Sequence, residues 1–208
     1  MNSPAGAKPR LVLASASPRR VQLLGQIGLA PDIIDPADIA EVRLRGEPPA
    51  KMSARLAIEK ARVVAARHPD CFVLGGDTVV AVGQRILPKA ETAEDARRFL
   101  SLLSGRRHKV VTSIALYCPS SDSSGAQSPL KLPVSHKIVT SVVAIKRLEE
   151  IEISSYLESG EWLGKAGGYA IQGMAAAYVR HISGSYSAIV GLPLYETRAL
   201  LNGSGFRC

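Results

Sequence analysis

"LVLASASPRRVQLL", residues 11–24, decides how the chain begins to fold. Leu11 to Ala14 is a short apolar run that meets a Ser-rich turn, and it reads as a buried strand. Ser17 stands at an N-cap position and Pro18 at the first helical position, so a helix starts at once. That helix carries Val21, Leu24 and Ile27 on one face and stops near Gly28. A strand passing straight into a helix opens an α/β arrangement. The oddity is charge. A helix N-terminus holds free N–H groups and the positive end of the dipole, so Arg19 and Arg20 each weaken it by roughly a few tenths of a kcal/mol. They make sense if an anion binds there. The N–H groups, the hydroxyls of Ser15 and Ser17 and two guanidinium forks would together cradle a polyphosphate. The plainer reading is a pair of solvated arginines. The stretch is not a Walker A loop, because it lacks the glycines and the Gly-Lys-Ser/Thr ending.

Further along, residues 29–50 read as a loop with a short extended piece. Pro49 to Arg67 is strongly helical, Ala-rich, with Leu56, Lys60 and Val63 at helical steps. In "CFVLGGDTVVAVGQRIL" a β-type run, Cys71 to Leu74, is interrupted by two glycines and resumes at Val79 to Val82; residues 83–85 read as a hairpin turn. A helix is expected over Thr92 to Leu103, and strands over "HKVVTSIALYC" and "HKIVTSVVAIKRL". The Ser/Pro/Gly stretch 119–135 between those strands reads as a long loop. A helix ending at Gly160, a Gly-rich segment "GKAGGYAIQG", a strand pair around "ISGSY" and a final helix in "GLPLYETRALL" complete the chain. The first half alternates strands and helices and hairpins dominate the second, which predicts a mixed sheet. Residues 1–10 are expected to be a flexible tail, and 11–208 a single domain.

The 208 residues are 46% apolar but only 5% aromatic, so the core should be aliphatic. With 26 Lys and Arg against 18 Asp and Glu, the net charge of +8 favours anionic partners without choosing among them. RNA binders usually add aromatics for base stacking, and few are available here, so no specific nucleic acid is expected. Cys71, Cys118 and Cys208 show no metal spacing and suggest reduced thiols in a cytoplasm. The N-terminus has no apolar segment of a secretory signal and no run is long enough to span a bilayer, so the expected setting is soluble and cytoplasmic, away from membranes.

Asp77 follows two glycines inside an apolar run. A carboxylate there needs a partner or a metal, because burying it alone is costly. It is a candidate for binding Mg²⁺ or activating a water, although an Asp closing a turn would look similar. Glu41, with Asp38 nearby, and Lys60 and Lys89 are each unremarkable alone. Together they supply what nucleotide hydrolysis needs: carboxylates for a cation and a water, and cations for phosphates. Gln172, in a glycine-flanked turn, has an amide that is both donor and acceptor, with which to read a nucleobase edge. His68, His108, His136 and His181 have no metal-like spacing and receive no role.

The order "LVLASASPRR", Glu41, "EKA", "GGDTVV", Lys89, "SGRRHKVVTSIAL", "GKAGGYAIQG" and "VGLPLYET" resembles the Maf family of nucleoside triphosphate pyrophosphatases, from about Leu11 to Leu201. The resemblance implies an α/β fold with two lobes around an elongated mixed β-sheet and a central cleft. It implies cleavage between the α- and β-phosphates with a divalent cation, Mg²⁺ or Mn²⁺, and a possible homodimer. By that resemblance Asp77 is the catalytic proton acceptor and shares the metal with Glu41. Ser17, Arg19 and Arg20 form the phosphate loop, Lys60 and Lys89 line the cleft with Glu41, and Arg19, Thr78 and Gln172 bear on substrate choice. "YAIQG" looks like the subgroup acting on dTTP and UTP; relatives acting on 7-methyl-GTP carry Ser-Glu-Gly instead of Ile-Gln-Gly. Departures from the family pattern are Ala90 after Lys89, Ser113 where many relatives have glycine, and the length of 119–135. The alternatives are a 7-methyl-GTP or modified-purine pyrophosphatase, and a basic nucleic-acid-binding or division-regulating protein without catalysis.

Overall fold

The computed structural model describes residues 9–119 and 134–206. The elements run β1 (Leu11–Ala14), α1 (Pro18–Gln26), β2 (Ile33–Ile34), α2 (Pro49–Ala65), β3 (Phe72–Val82), β4 (Arg85–Leu87), α3 (Ala93–Leu103), β5 (Arg107–Tyr117) and β6 (Val134–Ile145). Then follow α4 (Glu150–Glu158), a 3₁₀ turn (Met174–Tyr178), β7 (Val179–Ser183), α5 (Tyr186–Val190) and α6 (Leu194–Gly203). Among the described residues seven strands form one mixed sheet in the order β2-β1-β3-β5-β6-β7, with β4 also paired to β3. The α/β fold with a mixed sheet is as expected. No helix among the described residues is long and apolar enough to cross a membrane.

β1 is buried along its whole length and lies parallel to both β2 and β3. Such a strand must be apolar at every residue, which is why "LVLA" shows no alternation. From β3 onward every strand pairing among the described residues is antiparallel. The two-residue turn at Gly83 and Gln84, with Gly83 at φ +60, closes the β3–β4 hairpin, so Arg85 already belongs to a strand.

The glycines of "LGGD" do not interrupt β3. The strand pairs continuously with β5 from Val73 to Ala81. Each glycine instead makes room for a neighbour. A Cβ at Gly75 would lie 2.6 Å from the Ala57 carbonyl oxygen, so α2 can sit directly on the sheet. A Cβ at Gly76 would lie 3.4 Å from the Arg20 guanidinium on the opposite face. α2 packs through Ala57, Ala61, Val64 and Ala65 against Val12 and Val73. The larger core cluster joins Leu13, Leu23, Leu24, Leu74, Val80 and Phe99 on the other face.

Two further expectations are corrected. "ISGSY" is not a strand pair: β7 ends at Ser183, and Ser185, accepting the Ala188 N–H, caps the short helix α5. Gly191, at φ +135, ends α5, so the last helix begins at Leu194 and not at Gly191. Of the expected tail only residues 9 and 10 are described. Of 119–135 only 119, 134 and 135 are, and the last two belong to β6; the remainder, like Cys208, lies outside the described residues.

One feature of the sheet places the candidate site. β1 pairs with β3 as far as Ala14 and Gly75, and β4 takes up the same edge only at Val80. Gly76 to Val79 therefore present an edge covered by neither strand. α1 starts beside this gap, and a strand edge where neighbours part is where α/β sheets bind ligands.

Candidate active site

A cleft of about 470 Å³ opens at the gap, and all ten residues expected at the site line it: Ser15, Ser17, Arg19, Arg20, Glu41, Lys60, Asp77, Thr78, Lys89 and Gln172. Asp38 does not line it. Because neighbouring strand residues point to opposite faces, Asp77 and Thr78 serve opposite walls of the cleft.

On the α2 side, charges alternate. Lys60 Nζ lies 2.6 Å from Asp77 Oδ1 and 2.7 Å from Glu41 Oε1, and Lys89 Nζ lies 2.7 Å from Glu41 Oε2. Asp77 and Lys60 are buried, at 5% and 8% exposure. Lys60 comes from the inner face of α2, one helical turn beyond Leu56, so packing of the helix delivers the ammonium under β3. Glu41 comes from a loop. Partial burial opposes its charge, but hydrogen bonds from Lys60 and Lys89 outweigh that and hold its carboxyl at about 2. The second oxygen of Asp77 makes no side-chain hydrogen bond among the described residues and is left to the cleft. Beneath the carboxylate, Ser113, paired with Asp77 across the ladder, shares a short hydrogen bond with Ser53 of α2.

At the head of α1 the two arginines divide. Arg20 is buried; its Nε donates to the Gly191 carbonyl at 2.9 Å and its Nη1 to Ser15 Oγ at 2.8 Å. It ties the start of α1 to the end of α5, across Gly76. Ser15 Oγ also accepts the Ser17 N–H, so both its acceptor positions are used and only its O–H remains to donate. Ser17 is the N-cap of α1, as expected, but its side chain makes no capping bond, and its hydroxyl is left to the cleft. Arg19 is half-buried and has no hydrogen bond or ion pair among the described residues. Burial draws both guanidinium groups down from their ordinary value, Asp77 pulling that of Arg20 back up, and both stay charged at neutral pH.

The other wall is mainly apolar: Val80, Val110, Tyr169, Ile171, Ile189 and Val190, with Gln172 exposed. Thr78 Oγ1 lies 3.0 Å from Thr112 Oγ1, whose single hydrogen goes to the Ala188 carbonyl at 2.7 Å. Thr78 must then donate to Thr112, and it turns only lone pairs toward the cleft. A charged end and an apolar end suit a ligand that is polyanionic at one end and a flat ring at the other.

Lys165 was not picked out from the sequence, although it lies in the quoted "GKAGGYAIQG"; it lines the cleft, and burial followed by the nearby Arg19 lowers its affinity for a proton. Tyr169 was also passed over. His108, given no role, is buried with Nε2 2.7 Å from the Tyr169 hydroxyl. The counted charges of the cleft are five cations, Arg19, Arg20, Lys60, Lys89 and Lys165, against the two carboxylates Glu41 and Asp77.

Comparison with known proteins agrees with this geometry. Residues 10–204 match the family model described as Maf-like protein. A dTTP/UTP pyrophosphatase of Caulobacter vibrioides is 55% identical over 201 residues, covering 97% of this chain and 98% of the relative. Proteins of the same name from Paramagnetospirillum magneticum and Rhodospirillum rubrum are also 55% identical, covering 94% and 95% of this chain and 97% and 89% of their own. With a match across nearly its whole length and ten of ten expected residues in one cleft, the chain belongs to the Maf family.

Proposed function

We propose that the protein hydrolyses dTTP and UTP to the nucleoside monophosphate and pyrophosphate. The observation that carries this reading is the pairing, in one cleft, of a buried carboxylate with one unbonded oxygen and a five-cation surround, next to an apolar wall that ends in Gln172. The names of its relatives support the pyrimidine substrates over 7-methyl-GTP, and a cleft built for catalysis argues against a purely nucleic-acid-binding role.

The triphosphate enters with its phosphates toward Ser17, Arg19 and the start of α1, where N–H groups and guanidinium forks meet them. A water on the free Asp77 oxygen attacks the α-phosphorus. Its oxygen bonds to phosphorus, its proton passes to Asp77, and the bond to the α,β-bridging oxygen breaks. Pyrophosphate leaves, its growing charge offset by Lys89, Lys165 and Arg19. Lys60 holds the other Asp77 oxygen, which fixes the direction in which the free one points. Gln172 hydrogen-bonds the O4/N3 edge of uracil or thymine, and Thr78, turned to accept, suits a donor on the substrate.

Glu41 and Asp77 already share one cation, the Lys60 ammonium, so the pair can hold a divalent ion. No three acidic, His or Cys side chains converge among the described residues, which suits an ion that takes most ligands from water and phosphate. Mg²⁺ or Mn²⁺ held there would neutralise phosphate charge and lower the pKa of bound water. The reading extends to a cytoplasmic enzyme, supported by the unpaired thiols Cys71 and Cys118.

The test is pyrophosphate release from a panel of canonical, 7-methylated and modified triphosphates with Mg²⁺ or Mn²⁺. dTTP and UTP should lead in kcat/KM. A panel led by a purine triphosphate would sink the proposal.

A further inference from the structure

We propose that Glu161 is a positioning residue that sets the aim of Gln172 and thereby base selection; this rests on the pyrimidine reading above. Gln172 is exposed, and no hydrogen bond among the described residues holds its side chain. Its direction is therefore set by the backbone turn that carries it, in which the Gly173 N–H bonds the Ala170 carbonyl at 3.1 Å.

That turn is pinned at both ends. On the near side, the Tyr169 hydroxyl meets His108 Nε2 at 2.7 Å, and the Ala170 N–H donates to the Tyr156 hydroxyl at 3.0 Å. His108, Tyr156 and Tyr169 are all buried, so this end is fixed to the core. On the far side the 3₁₀ turn begins at Met174, whose N–H has no partner within the turn. Glu161 Oε2 accepts it at 2.8 Å. Gln172 stands between the two pins.

Gly173 is what lets Glu161 reach. A Cβ at residue 173 would lie 1.9 Å from Glu161 Oε2 and 2.5 Å from its Cδ. The carboxylate occupies the space that any side chain at 173 would need. Glu161 is itself set by its own N–H, which donates to Ser159 Oγ at 3.2 Å. The glycine after Gln172 thus serves a contact with a residue twelve positions earlier, outside the "YAIQG" stretch.

The readout is the kcat/KM ratio for dTTP over dCTP, whose bases differ at the edge Gln172 would read. In Glu161→Ala the ratio should fall about tenfold, as expected when a charge-assisted bond that orders a reading group is lost. Turnover of a ribose triphosphate without a base should not change. Glu161→Gln keeps an acceptor oxygen and should retain the ratio. Gly173→Ala should repeat the Glu161→Ala effect, and the double variant should be no worse than either single one. Exchange of the Met174 amide hydrogen should speed up in Glu161→Ala. A folded Glu161→Ala enzyme with the parent's ratio, or an additive double variant, overturns the role of Glu161. A parent that does not prefer dTTP to dCTP overturns the pyrimidine reading first, and this inference with it.

Discussion

The ammonium of Lys60 lies 2.6 Å from Asp77, and both groups are nearly closed off from solvent. Removing either partner has different consequences. Lys60→Met leaves a buried carboxylate without its main partner and should cost about 3–5 kcal/mol of stability, measured by urea unfolding. Asp77→Asn keeps the shape and one hydrogen bond to Lys60 but removes the proposed proton acceptor. Its turnover of dTTP should fall by about 10²–10⁴-fold with the melting temperature little changed. Full activity in Asp77→Asn would remove it from the chemistry.

The two arginines should separate by stability. Arg20→Ala leaves the Gly191 carbonyl without its partner inside the fold and Ser15 Oγ with the Ser17 N–H alone, and about 2–4 kcal/mol should be lost. Arg19 has no such ties. Arg19→Ala should change stability by no more than about 0.5 kcal/mol while raising KM for triphosphates. Denaturation of the two variants beside steady-state kinetics decides the matter; equal destabilisation would contradict the division.

Glu41 makes part of the stability depend on acid. Its carboxyl is depressed in the folded protein from 4.5 to about 2 by Lys60 and Lys89, against the opposing effect of burial. A depressed folded value means the contribution is complete above the unfolded value and is lost as pH falls through the folded one. The stability difference between the parent and Glu41→Gln should be full at neutral pH, shrink below pH 4.5 and disappear near pH 2. Unfolding curves across that range check it, and a difference independent of pH would count against the ion pairs.

Gly75 and Gly76 should behave unequally. Alanine at 75 meets the backbone and side chains of α2 at 2.6–2.8 Å, and neither can step aside without moving the helix. A loss of about 1–3 kcal/mol is expected. Alanine at 76 meets the Arg20 guanidinium at 3.4 Å, so its cost in stability should be smaller. Thermal melts of the two variants provide the comparison.

Much of this was legible because it is local. An apolar run, a serine-proline turn and an Ala-rich helix each state their own structure, so β1, α1 and α2 were read correctly. The ten site residues came from motifs and from a family resemblance spanning the chain. What was not legible depends on distant partners. Gly75 looks like a strand breaker until α2 lies across it. Arg20 looks free beside Arg19 until Gly191, 171 residues later, takes its Nε hydrogen. Gly184, at φ +109, and Ser185 both bear on Ser141, which sends the chain away from β6 into α5; "ISGSY" alone carries no trace of that contact. Glu161 has no neighbour in sequence that hints at Met174.

The uncovered edge of β3 has a consequence for how the enzyme can change. Asp77 and Thr78 are joined by one peptide bond, yet one faces the charged wall and the other the apolar wall. Under the proposed function, substitutions that retune base choice can therefore accumulate on one side of the sheet without touching the carboxylate proposed to take the proton. The same adjacency forbids sliding. A one-residue shift of β3 against β5 would exchange the two walls and place the hydroxyl where the carboxylate belongs. Nine consecutive residue pairs from Val73 to Ala81 hold that alignment, so the ladder between β3 and β5 is a timing mark for chemistry as much as a support for the fold.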